Sequence, residues 1–322
     1  MPRAKRDPIE VLRVKIAMHF YCLVAGIEMT STDLSLYVEN SRDSYSKYDR
    51  FINGENTPSP DTFKELCEAL DNHQVNQLNT ENFKRLFNLS LWKALLLKGI
   101  DERDENEILF KMPFDIQKSI AHQDFEKMQL SLKRRLPCDK SVNFIERLSS
   151  FEALTALILI IRKQKIRTEK YDDAHIHMAI FRMLLSFFHH PSFQAYVDDI
   201  WSYIQNLLRE DDEPTQARMG IGYWNYSAEY IKKLVQNEIT IHSLAKKAKI
   251  IEDHTDIPCF NYFFYRSDDK KALIESMQSI ANGKPTSMLG LDEFFHKYRQ
   301  TRRKGKCSID YPTLNFLELC IE

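Results

Sequence analysis

The chain has 322 residues, of which 43% are hydrophobic and 28% are charged, and its formal net charge is −1. This length is sufficient for two or three domains with apolar cores. The near-neutral charge excludes a general attraction to nucleic acid, so any DNA binding must come from a local surface. Only 8 glycines are present, which disfavours glycine-dependent α/β nucleotide folds, and the many segments with helical periodicity predict an all-α fold.

Six cysteines lie far apart without a C-x-x-C pair: Cys22, Cys67, Cys138, Cys259, Cys307 and Cys320. This spacing is typical neither of a zinc site nor of a secreted disulfide framework, and it favours free thiols in a reducing cytoplasm. The first ten residues lack the apolar segment of a signal peptide. The longest apolar run, residues 156–161, is far shorter than the roughly 20 residues of a membrane helix. We therefore expect a cytoplasmic protein without a membrane partner.

Three basic residues, Arg3, Lys5 and Arg6, precede the first predicted helix. Pro8 marks the start of that helix, and apolar spacing extends it from Ile9 to about Ile27 as a scaffold. The basic residues are candidates for an arm that follows DNA phosphates or enters a minor groove. The alternative is a frayed, solubilising terminus.

Turn and helix signals are densest between residues 29 and 71. A short helix from Thr32 to about Val38 is followed by a polar turn and by a second helix from Ser44 to Asn53. We expect Gly54 to end the second helix with a positive φ. The apolar side of this second helix is predicted to consist of Tyr45, Tyr48, Phe51 and Ile52.

The segment after Gly54 contains Pro58 and Pro60, which prevent the helix from continuing. Asp61 is predicted to cap a further helix that ends near Leu70. Four apolar residues with helical spacing would close a small core: Phe63, Leu66, Cys67 and Leu70.

This helix-turn-helix pattern resembles the DNA-binding domain of phage repressor and Cro-like (Xre-type) regulators. Leu34 and Val38 resemble the packing pair of the first motif helix, residues 48–54 the end of the recognition helix, and residues 60–70 the helix that follows. Glu39 stands where the family usually has a glycine, and the turn is longer than the family's. The resemblance covers residues 1–72 and implies a bacterial, phage-related or mobile-element-related DNA-binding transcription regulator.

The resemblance also implies that bases are read from the first turns of the second motif helix. The candidate contacts in this helix and the preceding turn are Arg42, Ser44, Tyr45, Ser46, Lys47 and Arg50. Arginine can donate two hydrogen bonds to a guanine edge, and serine or lysine can reach bases or phosphates. The alternative is a solvated face of a non-binding domain, because residues 1–70 carry 9 Lys and Arg against 11 Asp and Glu.

The polar residues 72–80 suggest a domain boundary, with Thr80 capping the next helix. We therefore predict a DNA-binding domain over residues 1–72, a helical connecting region over 73–150, and a helical dimerisation or sensing domain over 151–322. Within the connecting region, helical segments are expected up to Gly99, from Ile108 to Met112, and after Pro113 through residues 114–136.

Residues 151–161 are apolar nearly all round, which predicts the buried central helix of the last domain. A further apolar helix is expected over residues 174–188, and Pro191 begins the next one. The apolar residues at helical spacing after Pro191 form either part of the core or a dimer interface: Phe193, Val197, Ile200, Trp201, Ile204, Leu207 and Leu208. Residues 239–250 look like the first helix of a second helix-turn-helix, but Pro258 disfavours that interpretation.

The densest basic run lies near the C-terminus, at residues 294–306. Its cations are possible phosphate contacts: Lys297, Arg299, Arg302, Arg303, Lys304 and Lys306. A solvated loop is the equal alternative.

An enzyme is not expected. His175, His177, His189 and His190 lie near several aspartates, but residues two apart on a helix point in nearly opposite directions and cannot easily share a metal ion. The sequence contains no Walker A motif, dinucleotide fingerprint, H-E-x-x-H or G-x-S-x-G. We therefore expect no catalytic residues, no metal and no cofactor.

The leading hypothesis is a regulator that binds double-stranded DNA as a homodimer, because two reading heads on a palindromic site multiply specificity. The alternative is a helical protein-interaction or scaffold module with a vestigial helix-turn-helix. The sequence identifies neither the operator nor any small-molecule or protein effector.

Overall fold

The structure, a computed structural model, describes residues 6–124, 129–133, 138–148, 150–164, 174–209, 222–252, 257–267 and 269–283. The all-α prediction is confirmed in its main point, because helices dominate this part of the chain. In chain order the elements are α1 (Pro8–Ala25), α2 (Ser31–Glu39), α3 (Tyr45–Ile52), α4 (Pro60–Asn72), α5 (Gln77–Phe87), α6 (Ser90–Ala94), α7 (Glu102–Phe110), α8 (Phe114–Ile120), β1 (Ala121–Asp124), β2 (Gln129–Leu132), α9 (Asp139–Leu148), α10 (Phe151–Gln164), α11 (Ala174–Phe187), α12 (Pro191–Gln194), α13 (Val197–Arg209), a 3-10 turn (Gly222–Asn225), α14 (Ala228–Lys247), α15 (Ile257–Tyr265) and α16 (Lys270–Ala281).

Helix α1 begins at the predicted proline and ends at Ala25, two residues before the expected end. The Asp7 carboxylate accepts a hydrogen bond from the Ile9 amide at 3.0 Å, and Pro8 occupies the first helical position. Gly26 ends the helix with a φ of 67°. The helix is buried along most of its length and packs against α3, α5, α12 and α13. It therefore acts as the predicted scaffold for the helix-turn-helix segment and for the later helices alike.

The predicted motif helices are present as α2 and α3, with bounds within one residue of the expected ones. Gly54 has a φ of 68°, as predicted. Tyr48 and Phe51 are buried, but Tyr45 is 57% exposed, so its assignment to the apolar side was wrong. The physical reason is that α3 starts at Tyr45, and this first turn extends beyond the core that covers the next two turns.

Two predicted helix caps were wrong. The Ser59 hydroxyl, not Asp61, accepts from the Thr62 amide at 3.2 Å, because Pro60 already occupies the first position of α4, where its fixed φ suits the helix. Helix α5 starts earlier than predicted and is capped by Asn76 rather than Thr80. Thr80 is buried inside α5 and donates to the Asp71 carboxylate at 3.1 Å.

The helix expected over residues 114–136 was also wrong. Helix α8 ends at Ile120, and the chain turns into an antiparallel hairpin in which Ala121 pairs with Leu132 and Asp124 with Gln129. Side chains of α7 accept hydrogen bonds from the backbone of β2: Asn106 from Leu130 and Glu105 from Leu132, both at 2.7 Å. The burial of alternate residues in β2 follows from this pairing.

The predicted central helix is confirmed as α10, whose apolar residues from Phe151 to Ile161 are buried. The stripe that begins at Phe193 is buried within the single chain, so it is core. Within the described residues, one apolar core runs from α1 to α16 and continues across residue 72. The separate roles assigned to the three predicted domains therefore stay predictions.

The segment considered as a second helix-turn-helix does not have that form. Residues 239–247 are the last turns of the 20-residue helix α14, which Ser227 caps. Pro258 is the second residue of α15, a position at which proline is tolerated.

Candidate nucleic-acid interface

The two sides of α3 differ sharply in exposure. Tyr48 and Phe51 are buried on the side that packs against α1, whereas Tyr45, Ser46 and Arg50 are exposed. Arg42, in the turn before the helix, is exposed as well. This amphipathic pattern holds the polar side of α3 outward.

Glu39 is the centre of the hydrogen bonds in the turn between α2 and α3. Its carboxylate accepts from the Ser44 hydroxyl, from the Lys47 ammonium at 2.8 Å and from the Tyr48 hydroxyl at 2.8 Å. Lys47 also pairs with Glu65 of α4 at 3.0 Å. Two of the predicted DNA contacts, Ser44 and Lys47, are therefore already bound to carboxylates of the protein.

The charge of Glu39 is stabilised by these donors. Partial burial alone would raise the pKa of Glu39, but the hydrogen bonds from Lys47, Ser44 and Tyr48 outweigh it and leave the pKa below its usual value. Burial also opposes the charge of Lys47, and hydrogen bonds to Glu39 and Glu65 overcome this, so the pKa of Lys47 is raised. Both groups are charged at neutral pH.

Arg42 and Arg50 differ from Lys47. Both side chains are exposed, and within the described residues neither guanidinium takes part in a hydrogen bond or an ion pair. Tyr45 and Ser46 lie between them in the chain with exposed side chains. The structure thus brings Arg42, Tyr45, Ser46 and Arg50 to the surface as the available polar groups of this face.

Arg6 lies against the turn that follows α3. Its guanidinium donates to the Gly54 carbonyl at 2.7 Å and to the Thr57 hydroxyl, and it lies 4.0 Å from the Glu10 carboxylate. It therefore ties the start of α1 to the end of the motif. Arg3 and Lys5 lie outside the described residues, as does the whole basic run at residues 297–306.

Acidic side chains surround this face. Asp43 and Asp49 are exposed beside the available arginines, and Glu55, Asp61 and Glu65 are exposed in the following turn and helix. A polyanion that binds here would contact the exposed arginines next to exposed carboxylates. Salt would therefore screen both its attraction to the arginines and its repulsion by the carboxylates.

The histidines have separate structural partners. His177 Nδ1 accepts from the Trp224 indole at 3.1 Å, and His190 Nδ1 accepts from the Ser192 amide at 3.1 Å as the cap of α12. His175 is exposed and lies 3.3 Å from Asp139. No group of three or more His, Cys, Asp or Glu side chains in the described ranges has the geometry to hold a metal ion.

A buried polar cluster that sequence reasoning missed joins the turn after α11 to α14 and α15. Nε2 of His189 lies 2.7 Å from a Glu238 carboxylate oxygen, and Nε2 of His242 lies 2.6 Å from Oδ1 of Asn261. Burial raises the pKa of Glu238 to about 8 and lowers the pKa values of His189 and His242 to about 4. The cluster is therefore uncharged at neutral pH. The spacing of Glu238 and His242 by four residues on one helix face was the available sequence signal.

Comparison of the chain with models of known families, with curated proteins and with solved structures finds no match. Among the helices of the described ranges, none has both the length and the apolar character needed to cross a bilayer. Cys22, Cys67 and Cys138 are free thiols, the first two buried and the third exposed.

Proposed function

We propose that this protein is a sequence-specific DNA-binding transcription regulator that inserts α3 into the major groove and acts as a homodimer. The observation that carries the proposal is the outward face of α3, which presents Tyr45, Ser46 and Arg50 while the opposite side is buried, together with the exposed Arg42 in the turn before it. A helix held in this way fits a major groove and can place arginine on a guanine edge.

Ser44 and Lys47 take a different part in the proposal. The pairs of Lys47 with Glu39 and Glu65 are partly exposed, and exposed ion pairs contribute only about 0–1 kcal/mol. Exchange of one of these carboxylates for a DNA phosphate therefore costs little. Lys47 would therefore exchange a protein carboxylate for a DNA phosphate, whereas Ser44 would keep its hydrogen bond to Glu39.

The acidic surroundings of α3 limit what one copy of the motif can bind. A second copy on a palindromic site would double the contacts, with half-sites about 34 Å apart. Arg3, Lys5 and the run from Lys297 to Lys306 would add phosphate contacts outside the groove. A truncation after Asp292 is expected to lower non-specific affinity, and unchanged affinity would reject the role of this run.

The proposal is tested by selecting genomic fragments with the purified protein and titrating the selected duplex. Arg42→Ala with Arg50→Ala is expected to weaken binding by about tenfold to a thousandfold, since a good bidentate contact is worth about 1–3 kcal/mol. Lys271→Ala is the matched control, because Lys271 is an exposed cation on α16. Equal loss in both variants, or no selected fragment, would contradict the proposal.

One observation favours the alternative of a protein-interaction module. Phe110 and Phe114 are 53% and 63% exposed at the junction of α7 and α8, and exposed aromatic residues are enriched at protein interfaces. Light scattering on the wild type and on Phe110→Ser with Phe114→Ser tests whether this pair contributes to a dimer. A change in mass without a change in DNA affinity would favour the interaction module.

A further inference from the structure

We infer that the cleft between α1, α6 and α7 is a binding site for a small organic acid with an apolar body and one carboxylate. The cleft has a volume of about 290 Å³, close to the lower limit of about 300 Å³ for small-molecule sites. Its lining combines apolar and aromatic surface from Phe87, Trp92, Leu96 and Ile108 with a few charged groups, among them Arg13. Ligand sites typically show this combination.

The ligand class follows from the hydrogen bonding of Arg13. Its guanidinium lies over the Phe87 ring, 4.5 Å from the ring centre, and its Nη1 donates to Glu10 at 3.3 Å. Its Nε is buried, and no described residue accepts a hydrogen bond from it. A buried donor without an acceptor is costly. Because Nε is enclosed, a ligand carboxylate would meet the guanidinium through Nη2, which makes no hydrogen bond within the described residues, and its charge would compensate the buried cation.

The other charged groups that line the cleft do not favour a cationic ligand. Glu107 is bound by Lys93 at 2.6 Å and by Lys111 at 2.8 Å, and Glu10 by Arg13. Every lining carboxylate thus has a cationic partner, whereas the Nε of Arg13 has no acceptor. Desolvation by burial lowers the pKa of Arg13, which agrees with a cation that its neighbours only partly compensate.

The cleft is linked to the helix-turn-helix through α1. Glu10 pairs with Arg13 in the cleft and lies 4.0 Å from Arg6, and Arg6 donates to the Gly54 carbonyl just after α3. A ligand carboxylate on Nη2 would leave Nη1 to Glu10 but would share the charge of the guanidinium, so Glu10 would be drawn more strongly to Arg6 and weaken the contact of Arg6 with Gly54. Occupation of the cleft would therefore change how the end of α3 is held.

The test uses the full chain, isothermal titration and phenylacetate as the probe, with phenylacetamide as the neutral match. Phenylacetate is expected to bind saturably at millimolar concentration or below, and phenylacetamide at least about tenfold more weakly. Arg13→Gln, which keeps a similar length without the charge, is expected to remove the preference for the acid. Lys271→Gln is the control and should leave binding unchanged.

A second variant covers the case in which Arg13→Gln fails to fold. Leu96→Trp would fill the cleft and is expected to abolish binding while Arg13 stays in place. Equal binding of acid and amide, binding unchanged in Leu96→Trp, or no saturable binding of phenylacetate, isovalerate or indole-3-acetate would overturn the inference. Because these titrations contain no DNA, their outcome is separate from that of the proposed function.

Discussion

The carboxylate of Glu39 accepts hydrogen bonds from Ser44, Lys47 and Tyr48. The side chain therefore fixes the turn between α2 and α3, which a glycine at this position would have to form with its backbone alone. It also places a negative charge beside the groups that are proposed to meet DNA. Glu39 is therefore expected to stabilise the fold but to weaken DNA binding.

Replacement of Glu39 by glutamine tests this opposition. The variant keeps an acceptor for Tyr48 but loses the charge, so the free energy of unfolding is expected to fall by about 1–2 kcal/mol, the value of a charge-assisted hydrogen bond above a neutral one. Affinity for the selected duplex should rise by about threefold to tenfold at low salt, because one repulsive charge is gone. Urea unfolding and DNA titration measure the two effects. A fall in both quantities would show that the turn, not its charge, limits binding.

Elements were predictable from the sequence where local chemistry determines them. Helices α1, α2 and α3 could be located because Pro8 and Gly54 act through their own backbone restrictions and because apolar periodicity was strong between them. Ser59 was missed as the cap of α4, since serine and aspartate are both good caps and only the position of Pro60 distinguishes them.

The β-hairpin could not be predicted from local sequence, because its stability depends on residues far away in the chain. The backbone amides of Leu130 and Leu132 are bound by Asn106 and Glu105, more than twenty residues earlier in the chain. Without α7, the short strands have little to favour them. Glu39 illustrates the same limit in the candidate site, since its role depends on how α3 and α4 bring Lys47 and Glu65 together.

The conformation of Gly54, in the turn between α3 and α4, leads to a further testable prediction. Gly54 combines a φ of +68° with close contact to α1, because a Cβ at this position would lie 2.6 Å from the Val11 carbonyl oxygen. Gly54→Ala is therefore expected to lower the free energy of unfolding by about 2–4 kcal/mol, the sum of backbone strain and a forced shift.

Gly26→Ala is the matched control for this variant. Gly26 has nearly the same φ of +67°, but a Cβ there meets nothing within 4 Å, so only the strain of about 1–2 kcal/mol should be lost. Denaturant unfolding followed by circular dichroism gives both values. Equal losses would show that the contact between α1 and the turn is not tight.

At the scale of the whole molecule, one continuous core joins the helix-turn-helix segment to the later helices, and α1 is common to both parts. The sequence indicated the apolar helices α10, α11 and α13 but not their arrangement, since the same stripes suit a core or a dimer seam. These stripes are buried within one chain, whereas Phe110 and Phe114 are among the large apolar side chains that are exposed in the described ranges, so dimerisation can be tested on this pair.

The buried cluster of Glu238, His189 and His242 predicts the pH dependence of folding. The pKa of Glu238 is raised from 4.5 to about 8 by burial, so the stability that it contributes is fully present below pH 4.5 and is lost as the pH rises through 8. The pKa values of His189 and His242 are lowered from 6.5 to about 4, mainly by burial. Their contribution is fully present above pH 6.5 and is lost as the pH falls through 4.

The contribution of this cluster to the free energy of unfolding therefore rises from pH 4.5 to 6.5, because the two histidines outweigh the one glutamate in this range. It falls from pH 6.5 to 8, as the contribution of Glu238 is lost. Glu238→Gln keeps the shape of the side chain but cannot exchange a proton. The difference in unfolding free energy between wild type and variant should therefore decrease between pH 6.5 and 8, by the amount that the contribution of Glu238 falls in this range. Urea unfolding at several pH values measures it. A difference that does not change with pH would mean that Glu238 is not protonated in the folded chain.

Base-resolved protection tests whether the outward face of α3 reads base edges in the major groove. The selected duplex is probed for methylation of guanine N7, a major-groove atom, with wild-type protein and with Arg50→Ala, each at a saturating concentration. We expect symmetric protected guanines in two half-sites about 34 Å apart, with protection lost at one guanine of each half-site in the variant. The same protection in both proteins, or no protected guanine in either, would contradict it.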